Sequence, residues 1–478
     1  MAQKINRQVY MDHASSTPIE RGVFLEMKKF LTDEFGNPGS LHQKGVMARN
    51  ALDNARKKVA DILSAMPDEI IFTSSGTESN NLAILGLIEN CKLSLDSLGT
   101  LSLSNGEIEN SALPHIVTTN IEHSSILETC RYLEKTNQAE VTYVPVEPNG
   151  IVDPEKIKKA LKENTVLVSV MYANNEIGTI QPIQEISKML RHFRKSTKHE
   201  IRNPKQIQIS KTENSKLSNF DIRISNFAAA YPLLHTDAVQ AANYLPINVQ
   251  KLGVDLMTLN GSKIYGPKGV GLLCRRISNF PIRQAQGPEG IEGQFPISKQ
   301  IPNSKFQILN PIMYGGEQEF GLRPGTENVA AIAGFAKALE ITEKIKNNEA
   351  KRLTKLRDYF IKRLTTIGEG YGKVLINGDL VNRLPNNINI SVPNFKSELL
   401  VLELDGKGIA VSSKSACKTE SEDSYVIEAI NPRKSASFDL RKSATIRFSL
   451  GRQNTKKDVE YAIRSLSQIF KKYREFML

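Results

Sequence analysis

Lys263 closes the turn Asn260-Gly261-Ser262-Lys263, which runs on into Gly266-Pro267-Lys268-Gly269. A lysine amine in such a place can hold a cofactor as a Schiff base. Asp237 stands in His235-Thr236-Asp237-Ala238-Val239-Gln240, where a carboxylate can pair with a protonated ring nitrogen. Thr73-Ser74-Ser75-Gly76-Thr77-Glu78-Ser79-Asn80 is a small, hydroxyl-rich turn of the kind whose backbone N–H groups suit a phosphate. His123, in Glu122-His123-Ser124-Ser125, and Asn175, in Asn174-Asn175-Glu176, add an imidazole and an amide. Read singly, each is an ordinary capping or turn residue, and a lysine in a glycine-rich turn is usually solvated.

Their common position is the stronger signal. Each group follows a short apolar run: residues 70–72, 115–117, 166–171, 231–234 and 254–259 read as strands, as does 141–146. Amphipathic stretches such as 48–63 and 154–161 lie between them. Strand-helix alternation predicts a parallel, doubly wound sheet, whose ligands sit beyond the carboxyl ends of the strands. Five polar groups at corresponding strand ends therefore face one crevice. A Schiff-base lysine, a carboxylate for the ring nitrogen and an anion cradle together match the needs of pyridoxal phosphate.

The C-terminal part reads as a smaller α+β unit, with helices at 350–364 and 398–404 and strands at 388–392 and 444–449. Val459, Ala462, Ile463, Leu466, Ile469, Phe470 and Tyr473 keep helical spacing, and Thr455 with Asp458 resembles a capping box at the start of that helix. Two low-complexity segments near 192–223 and 275–310 share short words and fit neither pattern; they read as inserted surface loops, as does 93–110.

Lys and Arg number 63 and Asp and Glu 51, a net charge of +12 that first suggests nucleic acid or a membrane surface. The two insertions hold balances of +5 and +3, so the remaining chain is mildly basic. No aromatic–basic interleaving supports a nucleic-acid partner. No apolar run approaches the roughly 18 residues of a membrane span, and the N-terminus has no signal-peptide core. Cys91, Cys130, Cys274 and Cys417 form no C-x-x-C pair, so no metal site is expected, and a reducing cytoplasm is the expected setting.

These motifs resemble those of the cysteine desulfurases, class V pyridoxal-phosphate enzymes of aminotransferase fold type I, most closely the group that supplies sulfur for iron–sulfur clusters and tRNA thiolation. The resemblance rests on YMDHASSTP at 10–18, FGNP at 35–38, TSSGTESNN at 73–81, NNEIG at 174–178, HTDAVQ at 235–240, KIYGPKG at 263–269, GLRPGTEN at 321–328, SAC at 415–417 and RFSLGR at 447–452. It implies a mostly parallel seven-stranded sheet in a large domain over 15–330, with residues 1–14 and 331–478 forming the small domain. It also implies the reaction: L-cysteine to L-alanine, with sulfur held as a persulfide on Cys417.

The roles that the resemblance implies are as follows. Lys263 would hold the cofactor, His123 would stack on its ring and shuttle protons, and Asp237 would pair with the ring nitrogen. Gln240 and Asn175 would approach the ring hydroxyl or substrate. Gly76, Thr77, Asn260 and Ser262 would cradle the phosphate. Thr326 would reach the phosphate of the other subunit of a homodimer, and Arg447 would bind the substrate carboxylate. Cys417 would be the nucleophile, on a mobile loop at 408–423 that visits an iron–sulfur scaffold or other acceptor protein. Two positions depart from the family: Ser262 stands where a histidine is usual, and Lys414 where glycine is common. A selenocysteine lyase or an aminotransferase is the alternative within the family, and a basic scaffold protein the alternative outside it.

Overall fold

A computed structural model of the chain describes residues 7–99, 113–201, 231–276, 308–371, 374–413, 424–431 and 443–473. Seven strands form the main sheet: β2 (Ile70–Thr73), β3 (His115–Thr119), β4 (Glu140–Val144), β5 (Thr165–Ser169), β6 (Leu233–Asp237), β7 (Leu256–Asn260) and β8 (Gly271–Arg275). Their order is β2-β8-β7-β6-β5-β3-β4. Pairing from β7 through to β4 is parallel, and β8 runs antiparallel to both of its neighbours. The parallel part follows from the crossover helices α3 (Gly76–Gly99), α4 (Ser124–Lys135), α5 (Pro154–Ala160) and α6 (Ile183–Ile201).

Several strands carry polar residues that the apolar pattern did not anticipate. The sequence reading ended one strand at Leu234, whereas β6 runs to Asp237. His235 is wholly buried because both ring nitrogens meet hydroxyls on neighbouring strands, Ser169 Oγ at 2.8 Å and Thr258 Oγ1 at 3.1 Å. His115 does the same between Thr165 and Thr142, at 2.8 Å each. Paired polar groups of this kind cost little to bury.

A second sheet is antiparallel, ordered β12 (Ser443–Ser449), β10 (Asn387–Pro393), β9 (Leu375–Ile376). Beside it β1 (Val9–Tyr10) pairs in parallel with β11 (Ile409–Ala410), and Val9 and Met11 enter the same apolar core as Ile388, Ile446 and Phe470. Helix α11 (Lys456–Lys472) covers this core; its Asp458 carboxylate accepts from the Thr455 backbone N–H at 2.9 Å, closing the expected capping box.

Three helices outrun their sequence-based limits. Helix α8 covers Val329–Tyr371, not 350–364 alone. Its first half is Ala-rich and buried on most sides against α1 (Arg21–Thr32) and α2 (Gln43–Leu63), so it shows no amphipathic stripe. The first predicted insertion opens as helix: α6 continues to Ile201, with Arg194 bonded to Asp255 at 2.6 Å. Its remainder, like residues 277–307 of the second, lies outside the described residues. Helix α3 reaches Gly99 through residues read as a loop, since Ser lowers helix propensity only modestly. Among the described residues, no helix is long and apolar enough to cross a membrane.

Candidate active site

The turn after β2 opens α3 at Gly76. A Cβ there would stand 3.0 Å from Val239 and 3.5 Å from Asn260, so glycine keeps this helix start close to the ends of β6 and β7. Thr73 and Ser79 hydroxyls meet at 2.7 Å, and Glu78 accepts from the Ser74 backbone at 2.8 Å. These bonds hold the first turn of α3 in place. Thr77 is exposed at its mouth.

Across the crevice, Asn260 ends β7 and its side-chain oxygen accepts from both the N–H and the hydroxyl of Ser262, each at 3.2 Å. Lys263 follows in a single 3-10 turn. Its Nζ donates to the Ser15 carbonyl, and its own carbonyl accepts from Asn243.

Asp237 is buried at the end of β6. Its carboxylate accepts from Asn80 Nδ2 at 2.8 Å and from the Val239 N–H at 3.0 Å. Gln240, one turn on, donates to the Ala14 carbonyl at 3.0 Å. His123 caps the N-terminus of α4, its Nδ1 accepting from the Ser125 N–H at 3.2 Å. Beside it Glu122 is fully buried; burial pushes its carboxyl up to about 8, opposed by bonds from Thr119 at 2.6 Å and the Met171 N–H at 2.9 Å.

Arg447 reaches the crevice from β12. Nη1 donates to the Asn175 carbonyl at 2.8 Å, while Nη2 lies 2.9 Å from Asp12 and 3.3 Å from Ser15 Oγ. The guanidinium is 2% exposed, and its Nε has no partner; neither has the buried Oδ1 of Asn175. Unpaired buried polar atoms of this kind suit a polar ligand.

Asn260 bonds Ser262 directly, Arg447 bonds Asn175 directly, and Lys263 and Arg447 meet on Ser15. Asp237 reaches His123 through Asn80 and Ser125; Gly76 lies against Asn260, and Gln240 bonds the Ala14 carbonyl next to Ser15. Thr326 is exposed on the stretch after the turn Gln318–Gly321, and no hydrogen bond ties it to them. Cys417 lies outside the described residues. The described flanks of its stretch are both anchored here. Ser412 exchanges backbone bonds with Arg447 at 2.7 and 3.3 Å, and Ser424 donates to Glu176 at 2.5 Å. Sequence reasoning missed Asp12, Ser15, Asn80 and Ser125. All four fall inside stretches it singled out, which was the available signal.

The residue set fits a phosphate-bearing pyridine aldehyde: an amine at Lys263, a buried carboxylate at Asp237 and a glycine-narrowed helix start opposite a hydroxyl turn. No group of three or more potential metal ligands occurs among the described residues.

The aminotransferase class-V family pattern matches residues 9–197 and 222–462. The chain is 39% identical over 471 residues to a cysteine desulfurase IscS of Dictyoglomus turgidum, covering 98% of this chain and 96% of that one. A solved NifS-like protein superposes with a TM-score of 0.72 at 30% identity, covering 97% of this chain and all of the other. A second solved structure, SspA in complex with cysteine, gives a TM-score of 0.64 at 28% identity over 92% of this chain and 98% of its own. A match of this extent across both sheets makes the chain a member of the class-V aminotransferase family and, within it, of the cysteine desulfurases.

Proposed function

We propose that the chain converts L-cysteine to L-alanine with pyridoxal phosphate and takes the sulfur onto Cys417 as a persulfide. One observation carries this reading: Lys263 and Arg447 converge on Ser15, the amine on its carbonyl and the guanidinium on its hydroxyl. A ligand whose amine end lies at Lys263 and whose carboxylate lies at Arg447 is a small α-amino acid.

When bound, the cofactor supplies an aldehyde for the amine and a ring that withdraws electrons from Cα. Lys263 would hold it covalently, and the Asp237 carboxylate would keep its ring nitrogen protonated. Gly76, Thr77, Asn260 and Ser262 would hold the phosphate, with Ser262 donating where a histidine is usual. His123 would pack against the ring, and Gln240 and Asn175 would bind its hydroxyl or the substrate. The guanidinium of Arg447 would orient the substrate through its carboxylate. The Cys417 thiolate attacks the substrate sulfur. An S–S bond forms, the Cβ–S bond breaks, and Cβ gains a proton as alanine leaves.

We further propose a division into a large domain, 15–330, and a small one, 1–14 with 331–478. The active form is read as a homodimer in which Thr326 reaches the partner's phosphate. Exposed Phe24, Leu25, Leu31, Phe35, Leu41 and Met47 supply apolar surface for such a contact. The persulfide passes to an acceptor protein such as an iron–sulfur scaffold. Buried, unbridged Cys91, Cys130 and Cys274 suit a reducing cytoplasm.

The test is the visible spectrum of the purified protein loaded with pyridoxal phosphate. A band that changes on adding L-cysteine and is missing in Lys263→Ala is expected. Cys417→Ala should keep the band and lose sulfide release. A wild-type protein with no such band would overturn the reading.

A further inference from the structure

Four residues from three elements form one directed chain of hydrogen bonds at the floor of the crevice. Asn80, in the first turns of α3, uses a single nitrogen for two bonds: Nδ2 donates to Asp237 Oδ2 at 2.8 Å and to Ser125 Oγ at 2.9 Å. Ser125 Oγ in turn lies 2.8 Å from His123 Nδ1.

The two ends fix every direction between them. A carboxylate accepts, so Asn80 must turn its NH₂ toward Asp237; the flipped amide would set its carbonyl oxygen against that charge. At the other end the Ser125 backbone N–H can only donate, so His123 Nδ1 is an acceptor. The Ser125 hydroxyl, receiving from Asn80, then gives its own hydrogen to Nδ1. The neutral imidazole therefore carries its proton on Nε2.

Helix capping does not require this arrangement. The cap is the backbone N–H of Ser125, and it survives without the hydroxyl or Asn80. Asn80 moreover leaves its buried Oδ1 unpaired, which is costly, while both its amide hydrogens are committed to the chain.

We propose that Asn80 and Ser125 are positioning residues that hold His123 in its Nε2–H tautomer and in fixed register with Asp237. The proposal rests on the cofactor reading above. In the loaded enzyme, Asn80 and Ser125 set the hydrogen-bonding direction of the imidazole relative to the ring that Asp237 anchors.

The experiment uses the loaded holoenzyme and compares wild type with Ser125→Ala, Ser125→Thr and Asn80→Ala. Ser125→Ala should lower kcat about 10-fold, with KM for L-cysteine within about twofold of wild type. The induced circular dichroism of the bound cofactor, read without substrate, should change in Ser125→Ala and Asn80→Ala. Ser125→Thr, which keeps the hydroxyl, should restore both readouts. If Asn80→Ala does not fold, the Ser125 pair decides. Wild-type kcat and dichroism in Ser125→Ala overturn the proposal, as does a loss that Thr fails to restore. Both leave the cofactor reading standing, since that reading fails only if the wild-type protein shows no cofactor band.

Discussion

Arg447 Nη2 lies 2.9 Å from Asp12 Oδ1 across 435 residues of chain. The guanidinium that faces the substrate site therefore already has a protein carboxylate, and the Asn175 carbonyl fixes its other nitrogen. The pair is buried on the arginine side and slightly exposed on the aspartate side. Asp12 thus both orients the fork and opposes a second carboxylate arriving beside it.

Arg447→Lys should raise KM for L-cysteine about 10–100-fold, because a lysine keeps the charge and loses the planar fork. Asp12→Asn should act in the opposite sense on KM, lowering it about threefold as a like charge is removed. The same change should lower stability, since a buried guanidinium loses its counter-ion. Steady-state kinetics and urea unfolding on one preparation read both effects. A raised KM in Asp12→Asn would count against the proposed opposition.

Arg56 and Glu319 form a buried two-bond pair at 2.6 and 2.9 Å, and Glu319 also accepts from the Phe72 N–H at 2.9 Å. Glu319 and Phe320 both have positive φ, so this pair pins a strained turn ahead of Thr326. Arg56→Met should cost about 3–5 kcal/mol in urea unfolding, because Glu319 is left as an uncompensated buried charge. Adding Glu319→Gln should recover part of that loss. A single variant within about 1 kcal/mol of wild type would refute the assignment.

Burial depresses His13, His115 and His235 from 6.5 to about 4, and raises Glu122 from 4.5 to about 8. Between pH 4 and 6.5 the unfolded chain binds protons at these histidines that the folded chain does not, so stability rises with pH. Between pH 4.5 and 8 the folded chain keeps a proton on Glu122 that the unfolded chain has lost, so this group lowers stability as pH rises. Three histidines outweigh one glutamate below 6.5, and Glu122 acts alone above it. Melting temperature should therefore peak near pH 6.5 among these four groups' contributions, and Glu122→Gln should flatten the fall toward pH 8. An unchanged slope above the peak in that variant would exclude Glu122 as its source.

Gly451 faces the His13 ring so closely that a Cβ would lie 2.3 Å from two of its atoms. Gly451→Ala should cost about 1–3 kcal/mol in thermal or urea unfolding. His13→Ala in the same chain should return part of it by making room. Equal stability of Gly451→Ala and wild type would mean that the segment shifts freely.

The sequence made some of this visible and hid the rest for a physical reason. Lys263, Asp237 and Asn260 each sit within a few residues of an apolar strand, so local periodicity locates them. His235 disguises a strand interior because its polarity is cancelled by hydroxyls on other strands. The Ala-rich half of α8 shows no periodicity because helices cover several of its sides. The bonds Asp12–Arg447 and Asn80–Asp237 join residues 435 and 157 apart, and spacing along a chain carries no register for such contacts.

The pairing of β1 with β11 sets a schedule for biosynthesis. Val9 waits for Ile409, about 400 residues later, which at roughly 5–20 residues per second is about 20–80 s on the ribosome. For that interval the strand that later carries Asp12 to the site has unsatisfied edges and an apolar face. The large sheet, whose strands all precede residue 276, can assemble first and present Lys263 before Arg447 exists. A nascent chain halted between the two would have its lysine in place and no means of orienting an amino acid.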